Sequence, residues 1–208
     1  MGTNEIQQAI MKYDRPKTTE LVQSEIDQGT DISVILNEGL IAPLDEIGKR
    51  FSEGELFVPE MIAAANAMKG GLELLRPHLA KAGVKTRGTI VIGTVKGDLH
   101  DIGKNIVAMM LEGAGFKVID LGVDVDAEEF ASAVKENEAD IAAMSALLTT
   151  TMPAMETTVS LIKEKCNNLK TIIGGAPVTN SFAKNIGADG FSIDAPGAVK
   201  LARKFLAG

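Results

Sequence analysis

The chain has 208 residues, of which 45% are hydrophobic and 24% charged, and its formal net charge is −7 at pH 7. This composition is ordinary for a globular protein, and the negative charge argues against nucleic acid as a partner, since phosphate binding needs clustered lysine and arginine. Cys166 is the only cysteine, which excludes an internal disulfide, a cysteine-rich zinc site and an iron–sulfur cluster built from this chain alone. We recognise no secretory signal and no membrane span, and therefore expect a cytoplasmic protein.

Residues 1–82 have the apolar spacing of amphipathic helices and contain no strand pattern, which predicts a small helical bundle. Pro16 is expected to end the first helix, and Thr18 or Thr19 to cap the second. The last helix of this region is expected to end at Pro77, since proline interrupts the hydrogen bonding of a helix.

Residues 83–88 are small, basic and aperiodic, and we predict that they form a linker. From there to residue 208, short apolar runs alternate with helical ones. The predicted strands are Thr89–Gly93, Lys117–Leu121, Ile141–Ser145, Thr171–Gly174 and Gly190–Ile193. The predicted helices are Lys104–Gly113, Ala127–Glu136, Pro153–Lys165, Asn180–Ile186 and Ala195–Leu206. Residues 89–208 are therefore predicted to form a Rossmann-like domain with a flavodoxin-like, doubly wound parallel sheet of five strands in the order 2-1-3-4-5.

The loop after the first predicted strand carries an aspartate and a histidine, Asp98 and His100. Ligands of open α/β sheets bind at this carboxyl edge, and a histidine with a carboxylate near its second ring nitrogen has the features of a metal ligand. The third and fourth strands are followed by residues 145–151, rich in hydroxyls, and by Gly174-Gly175, which we expect to converge on the same edge. Taken singly, such runs are typical of caps and tight turns; their combination points to a site.

The sequence lacks the motifs of other functions that are common in this architecture. The first loop has neither the phosphate-binding Gly-x-x-x-x-Gly-Lys-Ser/Thr nor the dinucleotide-binding Gly-x-Gly-x-x-Gly. A phosphoacceptor receiver domain needs an aspartate where the third strand ends in Ser145. A hydrolytic triad of Ser145 or Thr151 with His100 and Asp98 is conceivable, but no Gly-x-Ser-x-Gly motif supports it. With two histidines and one cysteine, a zinc site lacks ligands, which leaves a metal with one protein ligand inside a macrocycle.

Three motifs, Asp98-x-His100-x-x-Gly103, Ser145-x-Leu147 and Gly174-Gly175, resemble the signature of cobalamin-binding domains. These domains occur in cobalamin-dependent methionine synthase and in the corrinoid proteins of methyltransferase systems. The helical region, with Gly-Glu-Leu-Phe-Val-Pro-Glu at residues 54–60, resembles the helical cap of that family. A chain made of such a cap and one such domain is similar to the corrinoid proteins that serve demethylation of methanol, methylamines, betaine or methoxylated aromatics.

The resemblance implies roles for three residues at the metal. His100 would be the lower axial ligand of cobalt, in place of the cofactor's own dimethylbenzimidazole. Asp98 would accept a hydrogen bond from the other imidazole nitrogen, which fixes the tautomer and raises the basicity of the ligand. Thr151 would be the third member of this relay, where the methionine synthase pattern has a serine.

The resemblance also implies a surface for the rest of the cofactor. Gly103 would let the start of a helix lie close to the nucleotide tail, and Ser145 would hydrogen-bond the displaced benzimidazole. Gly174 and Gly175 would leave room for the tail, and Phe57 would cover the upper face of the corrin. The other residues implied to line the cofactor are Asp101, Ile102, Leu147 and Thr149.

For function, the resemblance implies that cobalamin is the cofactor and that the protein is the carrier component of a multi-protein methyltransferase system. Cobalt(I) would take a methyl group from a substrate held by a substrate-specific methyltransferase. Methylcobalamin would then give it to a second methyltransferase with a thiol or tetrahydropterin acceptor, and a reductive activation protein would be a further partner. The cap would move aside for each transfer, with the linker as hinge.

Two other functions share this type of domain. One is the cobalamin-binding subunit of an adenosylcobalamin-dependent mutase, which the helical region argues against because small mutase subunits typically lack such a cap. The other is a cobalamin sensor module, which usually adds a DNA-binding or signalling domain that we do not expect in a chain of this length.

Overall fold

A computed structural model describes residues 2–82, 86–166 and 168–207, apart from the side chain of Ala80. The chain folds into two compact units. The helical unit consists of Met1–Thr86 with Glu112–Gly115, and the sheet unit of Arg87–Leu111 with Phe116–Gly208. Residues 83–85 of the predicted linker lie outside the described residues.

Helices are the only regular secondary structure in residues 2–82. They are α1 (Gly2–Met11), α2 (Arg15–Asp27), α3 (Ile32–Val34), a π-helical stretch (Ile35–Ile41), α4 (Ala42–Ser52) and α5 (Val58–Lys81). Their apolar faces bury a core that includes Ile6, Ile10, Ile35, Leu40 and Ile47, all fully buried. The packing of these faces, rather than intrinsic helix propensity, holds such short helices together.

Two helix boundaries in this unit differ from the sequence prediction. Pro16 does not end α1 but lies in the first turn of α2, where a proline loses no hydrogen bond. Asp14 caps that helix by accepting from the N–H of Lys17 at 2.9 Å, so the predicted caps Thr18 and Thr19 are wrong. Their hydroxyls instead donate to carbonyls one turn earlier within the helix.

The predicted end of the last helix at Pro77 is also wrong. This proline lies inside α5, which continues to Lys81. Beyond it, the N–H of Ala82 donates to the carbonyl of His78 at 2.9 Å, so helical hydrogen bonding resumes after the proline. Proline interrupts one turn of hydrogen bonds, and the packed helix tolerates that loss.

The sheet unit alternates strands and helices as predicted. Its elements are β1 (Thr89–Thr94), α6 (Ile102–Gly113), β2 (Lys117–Asp120), α7 (Ala127–Glu136), β3 (Ile141–Ser145), α8 (Met152–Lys165), β4 (Lys170–Gly174), α9 (Asn180–Asn185), β5 (Gly190–Phe191) and α10 (Ala195–Leu206). All neighbouring strands are parallel, in the order β2-β1-β3-β4-β5, which confirms the flavodoxin-like fold. Only β5 is clearly shorter than predicted, because Ile193 is 88% exposed and lies outside the sheet.

The register of the sheet aligns the ends of its central strands. Thr94 of β1 pairs with Ser145 of β3, which pairs in turn with Gly174 of β4. Successive residues of β1 and β3 are buried, as expected for a parallel sheet covered on both faces. The loops that leave these three strands therefore start side by side. None of the described helices combines the length and the apolar composition needed to cross a bilayer.

Candidate functional site

The loop between β1 and α6 is held in place on both of its sides. The buried Thr94 hydroxyl donates to the carbonyl of His100 at 2.9 Å. The N–H of Gly97, a residue with a φ of 82°, donates to the carboxylate of Asp124 at 2.8 Å. The N–H of Asp98 closes a turn on the carbonyl of Val95. These bonds fix the backbone on either side of the Asp98 and His100 side chains.

Asp98 is a fully buried carboxylate that accepts four hydrogen bonds. Its Oδ1 accepts from the N–H of His100 at 3.1 Å and lies 2.8 Å from Nδ1 of the same residue. Its Oδ2 accepts from the N–H of Leu147 at 2.7 Å and from the Thr151 hydroxyl at 2.8 Å. The carboxylate thus joins the loop after β1 to the loop after β3.

The hydrogen bonds keep the Asp98 carboxyl ionised. Burial raises its pKa, but the N–H of Leu147, the His100 ring and the Thr151 hydroxyl outweigh burial and hold the pKa well below its usual range. An ionised carboxylate can only accept hydrogen bonds, so Nδ1 of His100 carries the proton that lies between them. In the neutral ring, Nε2 then keeps its lone pair.

The His100 side chain is 52% exposed although its partner is fully buried. Within the described parts of the chain, Nε2 has no hydrogen-bond partner. The tautomer of the ring is therefore fixed, and the lone pair of Nε2 is available to a ligand that binds at this edge of the sheet. This is the geometry of a metal ligand oriented by a carboxylate.

Thr151 occupies the N-cap position of α8 but does not cap that helix with its side chain. Its hydroxyl lies 2.8 Å from Asp98 Oδ2 and 2.9 Å from the carbonyl of Leu148. A hydroxyl has one proton, so it can donate to only one of these two acceptors at a time.

Large apolar side chains face solvent at the same ends of the strands. Among the described residues of the sheet unit, the exposed large hydrophobic ones all lie beyond the carboxyl ends of the strands: Leu99 (71%), Ile102 (73%), Leu147 (41%), Leu148 (43%) and Ile193 (88%). We call these five residues the apolar rim; exposed apolar surface near a polar anchoring group is typical of a site for a large, mostly apolar ligand.

The glycines of the predicted site differ in how much space an added Cβ would have. A Cβ on Gly103, near the start of α6, would meet no described atom within 4 Å. A Cβ on Gly175 would lie 1.8 Å from the carbonyl oxygen of Ala146, and the φ of Gly175 is 127°. The fold itself therefore requires Gly175, whereas no described neighbour requires a glycine at position 103.

The remaining residues implied by the resemblance differ in their exposure and in the elements that carry them. Asp101 and Thr149 are exposed, and Asp101 accepts from the Asn105 amide at 3.0 Å. Ser145 is half-buried at the end of β3, beside Gly174. Phe57 belongs to the helical unit and is 70% exposed, directly before α5.

Two features of the site had no signal in the sequence. The N–H of Leu147 is a backbone group, which any residue type would supply. Lys104 lies in a mostly apolar helix, and its nearly complete burial against Asp120 depends on how α6 packs beside β2.

The site offers a metal one imidazole. The described residues contain no group of three or more histidine, cysteine, aspartate or glutamate side chains that could hold an ion. A half-exposed imidazole, an apolar rim and an open helix start fit a metal carried within a large planar macrocycle.

Comparison with known proteins decides which macrocycle this is. Residues 88–200 match the model of the B12 binding domain, and residues 3–76 match a second B12 binding domain model. The chain belongs to the B12-binding family. Its cofactor is therefore a cobalamin, as the family resemblance implied, and the following relatives place the chain among the corrinoid proteins of methyltransferase systems.

Relatives match this protein over nearly its whole length. A corrinoid protein of Desulfitobacterium hafniense is 43% identical over 98% of this chain and 96% of its own. Trimethylamine corrinoid protein 2 of Methanosarcina mazei is 42% identical over 92% of this chain and 89% of its own. Among solved structures, a chain of the methanol:cobalamin methyltransferase complex of Methanosarcina barkeri is 31% identical, with a TM-score of 0.87 over 100% of this chain and 80% of that one.

Proposed function

We propose that this corrinoid protein is a methyl carrier, which receives a methyl group from a methylated amine or methanol and delivers it to a second protein. The observation that carries the proposal is the half-exposed His100 imidazole on the buried Asp98 carboxylate. The similarity to trimethylamine and methanol systems over the whole chain supports the choice of substrate class.

The protein's own residues hold the cofactor and set its lower ligand. His100 would bind cobalt through Nε2, while Asp98 keeps the proton on Nδ1 and so keeps Nε2 basic. When bound, the cobalt of the corrinoid supplies the methyl-accepting and methyl-donating chemistry. Thr151 supports the carboxylate from its other side, since its hydroxyl donates to the oxygen that does not face the imidazole.

The edge of the sheet unit would hold the rest of the cofactor. Gly103 presents the open start of α6 to the nucleotide tail, and the Ser145 hydroxyl would hydrogen-bond the base at its end. The other residues proposed to line this surface are Asp101, Ile102, Leu147, Thr149, Gly174 and Gly175. In the helical unit, the exposed Phe57 ring would shield the upper face of the corrin from water.

The carrier would work with three kinds of partner. A substrate-specific methyltransferase would bind the methyl donor, and a second methyltransferase would pass the methyl group to a thiol or a tetrahydropterin. A reductive activation protein would restore the cofactor after oxidation. The partners, rather than the carrier, would select donor and acceptor.

Transfer of a labelled methyl group tests this function. The protein is loaded with hydroxocobalamin, reduced, and mixed with a methyltransferase of the trimethylamine, dimethylamine or methanol type and its radiolabelled substrate. We expect label to elute with this protein in at least one mixture, and not when the cofactor is omitted. His78→Ala, which changes the other histidine, should retain label, and His100→Ala should lose most of it. Absence of label from every mixture, with turnover in an adenosylcobalamin rearrangement instead, would contradict the carrier function.

A further inference from the structure

A buried lysine lies beside the cofactor-binding edge and takes no part in the roles above. Lys104, in the first turn of α6, is 3% exposed. Its ammonium group donates to both carboxylate oxygens of Asp120 and, at 2.8 Å, to Oδ1 of Asn105. All three protons of the ammonium are therefore used.

The bonds of Lys104 continue into the loop that carries His100. The side-chain amide of Asn105 donates to Asp101 at 3.0 Å, and its backbone N–H donates to the Asp101 carbonyl at 2.7 Å. At the other end, Asp120 also accepts from the N–H of Gly122 at 2.9 Å. A continuous chain of bonds thus joins the end of β2 to the residue that follows His100.

Stability alone is a weak explanation for this arrangement. Removing an ammonium group from water is unfavourable, and well-packed apolar residues in place of a buried ion pair are often as stable or more so. The ion pair instead orients neighbouring side chains. Lys104 holds the side chain of Asn105, and through it Asp101, in one geometry. Between Asp101 and Lys104 lie Ile102 and Gly103, the exposed rim residue and the open glycine of the site.

We propose that Lys104 is a positioning residue for corrinoid binding. Through Asn105 and Asp101 it holds the first turn of α6 and the preceding loop in the conformation that meets the cofactor. This inference rests on the proposed binding surface but concerns residues that do not themselves touch the cobalt. Without the ammonium group, Asn105 loses its donor and the contact with Asp101 loosens, while the bond between His100 and Asp98 remains.

Lys104→Met tests the proposal, because methionine fills similar space without the charge. In the cofactor-free protein, we expect faster hydrogen exchange of the Asn105 amide, whose acceptor is the Asp101 carbonyl. For hydroxocobalamin, we expect binding to weaken about tenfold, as for other groups that orient a metal site from outside. At saturating cofactor, the visible spectrum should show a smaller fraction with imidazole on cobalt.

Thr171→Val is the matched control, since Thr171 is also fully buried and hydrogen-bonded but lies at the opposite edge of the same sheet. It should lower the free energy of unfolding and leave both cofactor affinity and spectrum unchanged. Asn105→Ala breaks the link to Asp101 without removing the ion pair, and serves if Lys104→Met does not fold. Affinity and spectrum equal to wild type in the folded variants would overturn the proposal. Failure of the wild-type protein to bind hydroxocobalamin would instead overturn the cofactor site itself.

Discussion

Carboxylates accept hydrogen bonds at both the amino-terminal and the carboxyl-terminal edge of the sheet, but they serve different purposes there. At the amino edge, Asp189 accepts from the N–H and the hydroxyl of Thr171, at 3.0 and 2.8 Å, with Lys163 and Lys170 nearby. At the carboxyl edge, Asp98 accepts from two backbone N–H groups, a hydroxyl and an imidazole. Of these two carboxylates, only Asp98 is bonded to an imidazole, whose ring is half exposed and whose Nε2 has no hydrogen-bond partner among the described residues.

This difference separates structural from functional polar groups in one domain. Both carboxyls have their pKa lowered in spite of burial, Asp189 chiefly through Thr171 and Asp98 chiefly through Leu147. A perturbed pKa alone therefore does not mark the site. The exposed imidazole, the apolar rim and the open Gly103 mark it, and all three are at the carboxyl edge.

Replacing each carboxylate with its amide should give the largest contrast between the edges. Asp98→Asn turns an amide group toward one of its N–H donors and should cost about 3 kcal/mol of unfolding free energy. It should also weaken hydroxocobalamin binding about tenfold or more, because the imidazole loses its orienting charge. Urea unfolding and equilibrium binding measure the two effects.

Asp189→Asn is the control for that comparison. It should cost about 1–2 kcal/mol of unfolding free energy and leave cofactor affinity unchanged. The contrast would fail if both variants lost affinity equally, since that would make the effect a general consequence of weaker folding.

A methyl group added at the carboxyl edge should affect binding without affecting folding. Gly103→Ala places a Cβ in open space on a helix, so we expect the free energy of unfolding to stay equal or to rise by about 0.5 kcal/mol. Hydroxocobalamin affinity should fall about tenfold, because the methyl group occupies space proposed for the cofactor. Unchanged affinity would remove Gly103 from the site.

Whereas Gly103→Ala should impair binding, Gly175→Ala, at the same edge of the sheet, should impair folding. Its Cβ would meet the Ala146 carbonyl oxygen, so we expect loss of folded protein in urea unfolding and circular dichroism. Normal folding of this variant would show that Gly175 is not required by the fold.

The smallest expected effect is on the pH dependence of stability. The folded-state pKa of Asp98 lies below its unfolded value, so its contribution is complete above about pH 5 and is lost as pH falls through the folded-state pKa. Unfolding free energy measured in urea from pH 6 to pH 3 should therefore fall less steeply in Asp98→Asn than in wild type. Equal slopes would mean that Asp98 is not held ionised by its neighbours.

The sheet unit could be predicted well because its signals are local. Each strand is an apolar run followed by an amphipathic helix, and β3, α7 and α10 have the predicted bounds. The error at the start of α2 comes from competition between nearby residues. Asp14 and Thr18 both suit an N-cap, and only the packed start of α2 decides that Asp14 serves.

The site could be predicted only in part. Asp98 and His100 are two residues apart, so their hydrogen bond follows from local sequence, whereas Thr151 was assigned through family resemblance. The N–H of Leu147 and the pair of Lys104 with Asp120 depend on tertiary structure and leave no mark in the sequence. The roles of Phe57, Ser145, Thr149 and the glycines toward the cofactor stay predictions.

The identity of the nitrogen beneath cobalt is the most direct test of the account. The protein is produced with ¹⁵N-labelled histidine, loaded with unlabelled hydroxocobalamin and reduced to the paramagnetic cobalt(II) state for electron paramagnetic resonance. We predict doublet splitting from the ¹⁵N imidazole, retained in His78→Ala and lost in His100→Ala. Triplet splitting from the cofactor's own ¹⁴N base in the wild-type protein would contradict the central claim that His100 ligates the metal.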